Sequence, residues 1–253
     1  MKGYSLGALI LIALGFAVPS WNCSAQVKTL RIATSADFPP MESVSTTNEI
    51  VGFDIDFMKA VATEAGFTPE FTNVSWYSIF SGLESGAYDA IISSVSITEE
   101  RKRKYDFSIP YIKVDQVVLL RADLDEAKSL RGLAGRRIAF LRGSNGETSL
   151  NQVDPNKEIV RIPCSDITSA FQELEVGQVD GIICERIYAI LATQDSAFVG
   201  KFKIMETPLL EDEYGIVVKK GNSTVLDLIN KGVKRVLESG MDKEIWERWF
   251  TYR

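Results

Sequence analysis

An arginine and several small hydroxyl residues follow an apolar run and could form a binding site for a carboxylate. The segment from Ser93 to Arg101 reads Ser-Ser-Val-Ser-Ile-Thr-Glu-Glu-Arg, directly after the apolar residues 90–92. Thr98 can cap the next helix, which would place Arg101 in the first turn of that helix. A guanidinium beside backbone amides suits a carboxylate held by two parallel hydrogen bonds. The alternative is an exposed arginine in the basic run 101–104.

A glycine-rich turn later in the chain could present backbone amides to an anion. Gly143-Ser144-Asn145-Gly146 follows an apolar strand pattern and opens a predicted helix, whose N-terminus favours negative charge. The turn lacks the Gly-Lys-Ser/Thr of a Walker loop and the G-x-G-x-x-G spacing of a dinucleotide fingerprint. A plain tight turn is the alternative interpretation.

A carboxylate follows a second apolar run. Glu185 comes directly after residues 181–184, which read Gly-Ile-Ile-Cys. A carboxylate at the end of a parallel strand is a candidate partner for an ammonium group. The alternative is a salt bridge at the rim of the protein with Arg186 or a lysine.

Two aromatic residues, Phe38 and Trp76, each follow a predicted strand and could cover a flat or aliphatic side chain. Core packing is the alternative for both. The arginine, the turn and the carboxylate together describe a site for a zwitterion, because each charge leaves water only when it is paired. The candidate ligand-binding residues are Arg101, Glu185, Ser94, Ser96, Ser144, Asn145, Phe38, Trp76, Ser35 and Ser93.

The elements that would position these residues alternate between strands and helices. Strand patterns cover residues 30–34, 70–74, 89–93, 137–141, 158–162 and 181–184. Helical patterns cover residues 55–65, 77–85 and 167–174, with another helix expected after Gly146. Two βαβαβ units of similar size predict an α/β fold with two parallel-type sheets flanked by helices. Ligands of such sheets bind beyond the carboxyl ends of the strands, where the candidate residues lie.

Two further apolar strand patterns flank the second unit and predict two hinge crossings between two lobes. They are Val117–Leu120 and Gly215–Val218, and the helical tail Val225–Phe250 should return to the first lobe. One long doubly wound sheet is the alternative. The predicted division assigns residues 26–115 and 213–253 to lobe 1 and residues 116–212 to lobe 2.

The composition excludes several classes of protein. The chain has 253 residues, of which 45% are hydrophobic and 25% are charged, and this is ordinary globular composition. The formal charge of −6 argues against a general nucleic-acid binder. The chain has no histidine, which removes the Ser-His-Asp triad and every histidine-based metal site. We expect no cofactor, no metal and no nucleic-acid partner.

The N-terminus predicts a signal peptide over residues 1–25. Its apolar run, residues 6–18, has the length of a signal-peptide core and is too short for a comfortable membrane span. We place cleavage after Ala25, with an uncleaved anchor or a lipid anchor at Cys23 as alternatives. In an exported protein Cys164 and Cys184 could form a disulfide or remain two buried thiols.

These residues together resemble the periplasmic amino-acid-binding proteins of ABC importers, the bacterial extracellular solute-binding protein family 3. The resemblance covers residues 28–250 and implies the two-lobed type II periplasmic-binding-protein fold. The segments that carry it are Leu30 to Glu42, Val51 to Asp56, Asp89 to Arg101, Asp106 to Tyr111, Gly143 to Thr148, Tyr214 to Ile216 and Ile245 to Phe250.

The resemblance also implies a role for each matched residue. Arg101 matches the arginine that grips the ligand carboxylate, and Glu185 matches an acidic position that receives the ammonium. The other matched positions around the ligand are Ser94, Ser96, Ser144, Asn145, Phe38 and Trp76.

The chain departs from the family pattern at two of these positions. Glu185 stands where most relatives have Asp, and it is one methylene longer. Ser35 stands where many relatives have an Asp that contacts a polar or cationic side chain, although Asp37 lies nearby. We therefore predict a neutral polar amino acid as the ligand, with an acidic one next. Arg142 could favour the acidic one if it points into the cleft.

The residues and the resemblance predict one function. The protein is expected to be a periplasmic monomer that captures an amino acid by hinge closure and delivers it to the membrane permease of an ABC importer. No reaction is expected, and no further domain is expected after Phe250. One alternative is a cleft enzyme similar to cyclohexadienyl or arogenate dehydratase, in which Glu185 would act as a general acid. The other is a protein that presents its ligand to a sensor.

Overall fold

The computed structural model describes residues 28–124, 130–205 and 208–250, which form two α/β lobes. Each lobe has its own large sheet, so the predicted two-lobed fold is confirmed and the single long sheet is wrong. The predicted signal peptide and Cys23 lie outside the described residues.

The strands are short and are distributed along the whole described chain. They are β1 (Lys28–Thr34), β2 (Asp37–Phe38), β3 (Glu42–Val44), β4 (Ile50–Val51), β5 (Phe67–Asn73), β6 (Ala90–Ile91), β7 (Tyr105–Phe107), β8 (Ile112–Arg121), β9 (Arg137–Leu141), β10 (Val160–Cys164), β11 (Gly181–Glu185), β12 (Phe202–Ile204), β13 (Leu210–Tyr214) and β14 (Val217–Lys219).

The helices alternate with the strands in each lobe. They are α1 (Phe53–Ala65), α2 (Trp76–Ser85), α3 (Glu99–Lys104), α4 (Asn145–Val153), α5 (Ile167–Glu175), α6 (Arg186–Gln194), α7 (Ser223–Ser239) and α8 (Met241–Phe250). A short 3-10 helix, Leu130–Leu133, precedes β9.

The first lobe contains a five-stranded sheet in the order β5-β1-β6-β14-β7. Strand β1 pairs in parallel with β5 and β6, as the βαβαβ pattern predicted, while β14 runs antiparallel to β6 and β7. The small β2-β3-β4 sheet lies in the same half of the chain. Strand β6 ends at Ile91, so the hydroxyl residues from Ser93 onward are free to line the cleft.

The second lobe contains a six-stranded sheet in which β10, β9 and β11 are parallel neighbours. Strand β8 runs antiparallel to β11 and also pairs with β12 and β13. Apolar side chains cover both faces of this sheet. Val117, Leu119 and Ile182 pack on one face, and Val118, Leu120 and Ile183 pack on the other.

Helix α1 shows how the local sequence builds the first lobe. Residues Ile55, Met58 and Val61 recur at helical spacing and are fully buried. Gly66 ends the helix in the left-handed conformation that glycine adopts without steric cost. At the other end Gly52 has φ 141°, and a Cβ there would lie 2.1 Å from the carbonyl oxygen of Met41. Only glycine therefore allows α1 to begin so close to β3.

The second crossing lies earlier in the chain than the sequence predicted. The segment Gly215–Val218 was expected to cross between lobes, but Val217–Lys219 forms β14 inside the first sheet. The partner of β8 is β13, with Tyr214 opposite Ile112 and Leu210 opposite Gln116. Two paired strands thus join the lobes. The crossing strand β13 contains three acidic residues and is only partly buried, so a search for apolar runs finds β14 instead. The predicted boundaries between the lobes lie within these two strands, at 115/116 in β8 and at 212/213 in β13. They stay a prediction.

The helical tail packs on the first lobe, as predicted, but it consists of two helices. Gly240 adopts the left-handed conformation and ends α7, and α8 starts at the next residue. Val233 and Val236 of α7 and Ile245 of α8 join the core around Phe57. This packing attaches the end of the described chain to its beginning.

Both remaining cysteines, Cys164 and Cys184, are free and buried. Burial raises the pKa of the Cys164 thiol to about 11 and also raises the pKa of Cys184. Among the described residues, no helix is both long enough and apolar enough to cross a membrane.

Candidate functional site

All the predicted ligand-binding residues line one cavity between the two lobes. The cavity has a volume of about 50 Å³. The first lobe contributes Ser35, Asp37, Phe38, Glu42, Trp76, Ser93, Ser94, Ser96 and Arg101. The other side is lined by Gln116, Leu141, Ser144, Asn145, Ile167, Ile183, Cys184 and Glu185. The structure therefore places the candidate residues together, and their contacts with a ligand stay a prediction.

Arg101 is positioned by the helix cap that the sequence predicted. The Thr98 hydroxyl accepts a hydrogen bond from the Arg101 amide at 3.1 Å, which fixes the first turn of α3. Arg101 Nη1 donates to the carbonyl of Ser96 at 3.0 Å, and Nη2 donates to the carbonyl of Gly143 in the second lobe at 2.9 Å. The arginine thus bridges the cleft, and the alternative of a freely exposed side chain is wrong.

The surroundings of Arg101 mix aromatic faces with negative charge. Its guanidinium carbon lies 5.5 Å from the ring centroid of Trp76 and 5.2 Å from that of Phe80. Burial lowers the pKa of Arg101 to about 10, while nearby Asp212 acts in the opposite direction. Arg101 is therefore a cation at neutral pH and can pair with a carboxylate.

A chain of hydroxyl groups and carboxylates forms the first-lobe wall of the cavity. The Ser93 hydroxyl accepts from the Ser35 amide at 2.9 Å and donates to Glu42 Oε1 at 2.9 Å. The Ser94 amide donates to Asp54 Oδ2 at 2.6 Å, and Ser94 itself has φ 50°. This left-handed backbone at a non-glycine residue is held by the buried carboxylate behind it.

The buried acid pair Glu42 and Asp54 is a feature that the sequence did not reveal. Both side chains are almost fully buried, and the Tyr111 hydroxyl donates to Asp54 Oδ1 at 2.9 Å. Burial raises the pKa of Asp54 to about 6, and burial beside Asp54 raises the pKa of Glu42 well above its usual value. Each carboxyl thus disfavours ionisation of the other, because two adjacent negative charges repel each other where water is excluded.

Asp212 is a second unpredicted acid, and it connects both lobes. It accepts hydrogen bonds from Ser96 Oγ at 2.5 Å, Asn145 Nδ2 at 2.9 Å and Gln116 Nε2 at 3.3 Å. Gln116 also donates to Glu185 Oε1 at 3.1 Å. One sequence signal could have indicated this network. Gln116 is an uncharged polar residue that directly precedes the apolar residues 117–120 of the same strand. Asp212 lies between two other acids in β13, so the sequence does not distinguish it.

On the second lobe, Ser144 caps α4 by accepting from the Glu147 amide at 3.4 Å, so the glycine-rich turn opens a helix as predicted. Asn145 is almost fully buried, and its Oδ1 atom has no hydrogen-bond partner among the described residues. Its Nδ2 atom faces the Asp212 carboxylate. Because an ionised carboxylate can only accept hydrogen bonds, the nitrogen of the amide must point toward Asp212 and the oxygen away from it. The Asn145 side chain therefore keeps a free acceptor at the cavity wall.

Glu185 ends β11 and lines the cavity without pairing with Arg186. Arg186 Nε instead donates to Asp115 Oδ2 at 3.0 Å, so the predicted alternative of a rim salt bridge is wrong. Burial raises the pKa of Glu185, and its hydrogen bond from Gln116 acts in the opposite direction. A ligand ammonium at this place would supply the missing counter-charge.

Aromatic rings cover part of the cavity from the first lobe. Trp76 packs edge-on against Phe80, with ring centroids 5.6 Å apart. Phe38 stacks on Tyr188 of the second lobe, with centroids 5.3 Å apart and an interplanar angle of 22°. The predicted alternative of core packing therefore holds in part, because both rings pack on other aromatic residues while they line the cavity.

The charge in the cavity wall is mostly negative. Asp37, Glu42 and Glu185 line the cavity, and Arg101 is the cationic side chain among its lining residues. Arg142 is exposed and lies outside this lining. The condition under which Arg142 would favour an acidic ligand, a position in the cleft, is therefore not met. The described residues also contain no cluster of three or more metal-ligating side chains.

Comparison with known proteins assigns the family. Residues 30–252 match the model for bacterial extracellular solute-binding proteins, family 3. The match covers most of the chain, so the protein belongs to this family.

Several relatives are similar over nearly their whole length. The chain is 30% identical over 244 residues to "ABC transporter arginine-binding protein 1" of Escherichia coli K12, covering 96% of this chain and 98% of the relative. It is 29% identical over 226 residues to "Probable histidine-binding protein" of Neisseria gonorrhoeae, covering 88% and 84%. Among solved structures, "An ancestral arginine-binding protein bound to glutamine" is 34% identical, with a TM-score of 0.80, covering 90% of this chain and all of that chain.

Proposed function

We propose that this protein captures an amino acid between its lobes and delivers it to the permease of an ABC importer. The single observation that supports this most is the interlobe cavity, whose wall holds the guanidinium of Arg101 and, on the other lobe, the carboxylate of Glu185, which does not pair with Arg186. A zwitterion supplies the opposite charge to each of them. Relatives named as components of ABC transporters support the delivery step. The cell compartment would be the periplasm, after removal of the predicted leader.

In this proposal the α-carboxylate binds Arg101 and the backbone amides beside it. The α-ammonium binds Glu185, and the free Oδ1 acceptor of Asn145 is a second acceptor for it. The ligand would bridge the two lobes, because Arg101 belongs to one lobe and Glu185 to the other. Binding energy would then stabilise closure directly.

The cavity favours a ligand side chain that donates hydrogen bonds. Asp37 and Glu42 line the wall, and their negative charge would disfavour an acidic ligand side chain, because Arg142 lies outside the lining and Arg101 is assigned to the α-carboxylate. A neutral polar amino acid remains our first proposal. A cationic one comes next, since two relatives carry names with arginine or histidine and Asp37 could pair with it. The acidic ligand is the least favoured.

A thermal-shift screen tests the proposal. Residues 26–253 are refolded to remove any bound ligand and are measured with each of the twenty amino acids, with prephenate and with arogenate. A ligand at one hundred times its dissociation constant stabilises the native state by about 2.7 kcal/mol. For a domain of this size we expect the melting temperature to rise by about 5–10 °C.

The outcomes of the screen separate the candidate functions. A rise with one or two amino acids supports the binding protein and identifies the ligand. A rise with prephenate or arogenate alone, together with their turnover, would replace it with the dehydratase alternative. No rise with any compound would contradict the zwitterion site.

A further inference from the structure

One side chain connects the apolar cores of the two lobes. Phe38 on β2 packs against the first-lobe core around Phe57 and also against the second-lobe core around Leu174. Among the described residues, it is the hydrophobic side chain that these two cores share. A contact of this kind exists only while the lobes are closed.

The second-lobe partner of Phe38 is Tyr188 on α6. The two rings stack nearly parallel at 5.3 Å, which is the offset geometry that aromatic pairs prefer. Phe38 lines the ligand cavity, whereas Tyr188 lies on the wall of a separate outer groove with Pro39 and Pro40. Tyr188 therefore supports Phe38 from the side away from the ligand.

Tyr188 is itself held by a cluster of aromatic side chains. Phe171 packs edge-on against it, at 6.1 Å and 89°. Phe171 also packs edge-on against Phe198 at 5.1 Å and against Phe202 at 5.4 Å. The Tyr188 ring is thus a preformed platform, so little side-chain freedom is lost when Phe38 docks on it.

We propose that Tyr188 is a positioning residue that holds the lobes closed by stacking on Phe38 and thereby slows ligand release. The inference rests on the proposed function, because it concerns the closure that retains the amino acid. Opening the lobes separates the rings and exposes both faces to water, while Tyr188 itself need not touch the ligand. The stack acts on the closed state alone, so it shifts the balance between open and closed forms.

The test compares three variants with the wild-type chain. Tyr188→Ala removes the ring, Tyr188→Leu keeps an apolar side chain without the ring, and Tyr188→Phe keeps the ring without the hydroxyl. Spin labels at cysteines replacing the exposed residues Tyr77 and Val199 report the distance between the lobes. Distances are recorded without ligand and with a saturating mixture of the twenty amino acids.

We expect Tyr188→Ala and Tyr188→Leu to lower the closed fraction, while Tyr188→Phe matches the wild type. For each amino acid that binds, the dissociation rate constant should rise about 2- to 12-fold in the first two variants, with the association rate constant unchanged. Melting temperatures of the ligand-free variants show whether the lobes still fold. If Tyr188→Ala does not fold, Tyr188→Leu provides the test of the missing ring.

The outcomes distinguish this inference from the proposed function. If the wild type closes with amino acids but all variants show its distances and dissociation rates, the stacking role is wrong and the proposed function stands. If no amino acid changes the distances, but removing the ring still opens the ligand-free protein, the stacking role stands and the proposed function fails. A wild type that is open in both conditions contradicts both.

Discussion

The lobes meet across the cleft at two contacts of different chemistry. One contact is polar and charged, where Arg101 donates to the Gly143 carbonyl and Asp212 joins Ser96 to Asn145. The other is aromatic and consists of Phe38 on Tyr188. The polar contact is directional and depends on partners at fixed distances, whereas the aromatic contact depends mainly on buried area.

This difference in chemistry predicts different roles in binding for the two contacts. A buried charge without its partner costs several times more than a lost aromatic contact. The polar contact should therefore decide which molecules the cavity accepts, and the aromatic contact should decide how long the lobes stay closed. Variants on each side test this division, and the polar side carries the larger expected effects.

The largest effect is expected for Arg101→Met. This change leaves the ligand carboxylate without a cationic partner in the cavity, so the dissociation constant should rise by at least about 30-fold, the lower end for truncating a buried charge pair. Isothermal titration with the ligand from the screen measures this. Arg103→Met is the matched control, since Arg103 is an exposed residue on the same helix. An affinity in Arg101→Met equal to that of the control would end the carboxylate role.

The next effect is expected for Glu185→Gln. The amide keeps the shape of the carboxylate but removes the counter-charge of the ammonium, so affinity should fall about 5- to 150-fold. Glu175→Gln, at an exposed glutamate on α5, should leave affinity unchanged. The affinity of the wild type for ligand analogues without the α-amino group provides a second test of the role of Glu185. If they bind the wild type as well as amino acids do, Glu185 has been assigned the wrong role.

Asp212→Asn tests whether the polar contact works as a network. The carboxylate accepts from three side chains. All three side chains donate to Oδ2, and Oδ1 accepts from the Glu213 amide, so the amide nitrogen of an asparagine faces an existing donor in either orientation. We expect affinity to fall about 5- to 30-fold, because the network that orients Asn145 and Gln116 is weakened. The double variant Asp212→Asn with Asn145→Ala measures the coupling. Fully additive losses would mean that Asp212 does not orient Asn145.

The smallest effect on binding, and a clear effect on stability, is expected for Glu42→Gln. The raised pKa values of Glu42 and Asp54 mean that the folded state holds protons more tightly than the unfolded state. Their contribution to stability is present below the unfolded pKa values near 4. The part due to Asp54 is lost as pH rises through about 6, and the part due to Glu42 is lost as pH rises through its own raised pKa. Relative to Glu42→Gln, the wild type should lose roughly 1–3 kcal/mol of unfolding free energy between pH 4 and pH 8.

Urea unfolding at several pH values checks the acid-pair prediction. Other carboxylates with lowered pKa values, such as Asp89, change stability in the opposite direction, but they are common to both proteins. The difference between variant and wild type isolates the acid pair. If the unfolding free energies of the wild type and Glu42→Gln change in parallel with pH, the acid pair does not hold protons more tightly in the folded state.

The sequence predicted most of the local structure around the site. Thr98 caps α3 and places Arg101 in its first turn, Ser144 caps α4, and Gly66 ends α1. These features depend on residues within four positions of one another, so their physics is contained in a short segment. The same holds for the apolar periodicities of β1, β9 and β11.

The acidic network was not predicted, for a physical reason. Glu42 and Asp54 are twelve positions apart, and Asp212 reaches Ser96 across more than one hundred positions. An acidic residue reads as solvent-exposed unless its burial is known, and burial is set by how the lobes close. The second crossing was placed too late in the chain because β14 contains the apolar run, whereas the crossing strand β13 reads Leu-Glu-Asp-Glu-Tyr and lacks one.

The sequence by itself determined the α/β class, the candidate residues at the strand ends and the family resemblance, because short-range periodicity and caps encode these features. Only the tertiary structure decided that those residues share one cavity and that Arg142 lies outside it. Only the tertiary structure also brought Phe38 onto Tyr188, 150 residues along the chain. Contacts between the lobes depend on the paired strands β8 and β13, whose geometry no local pattern specifies.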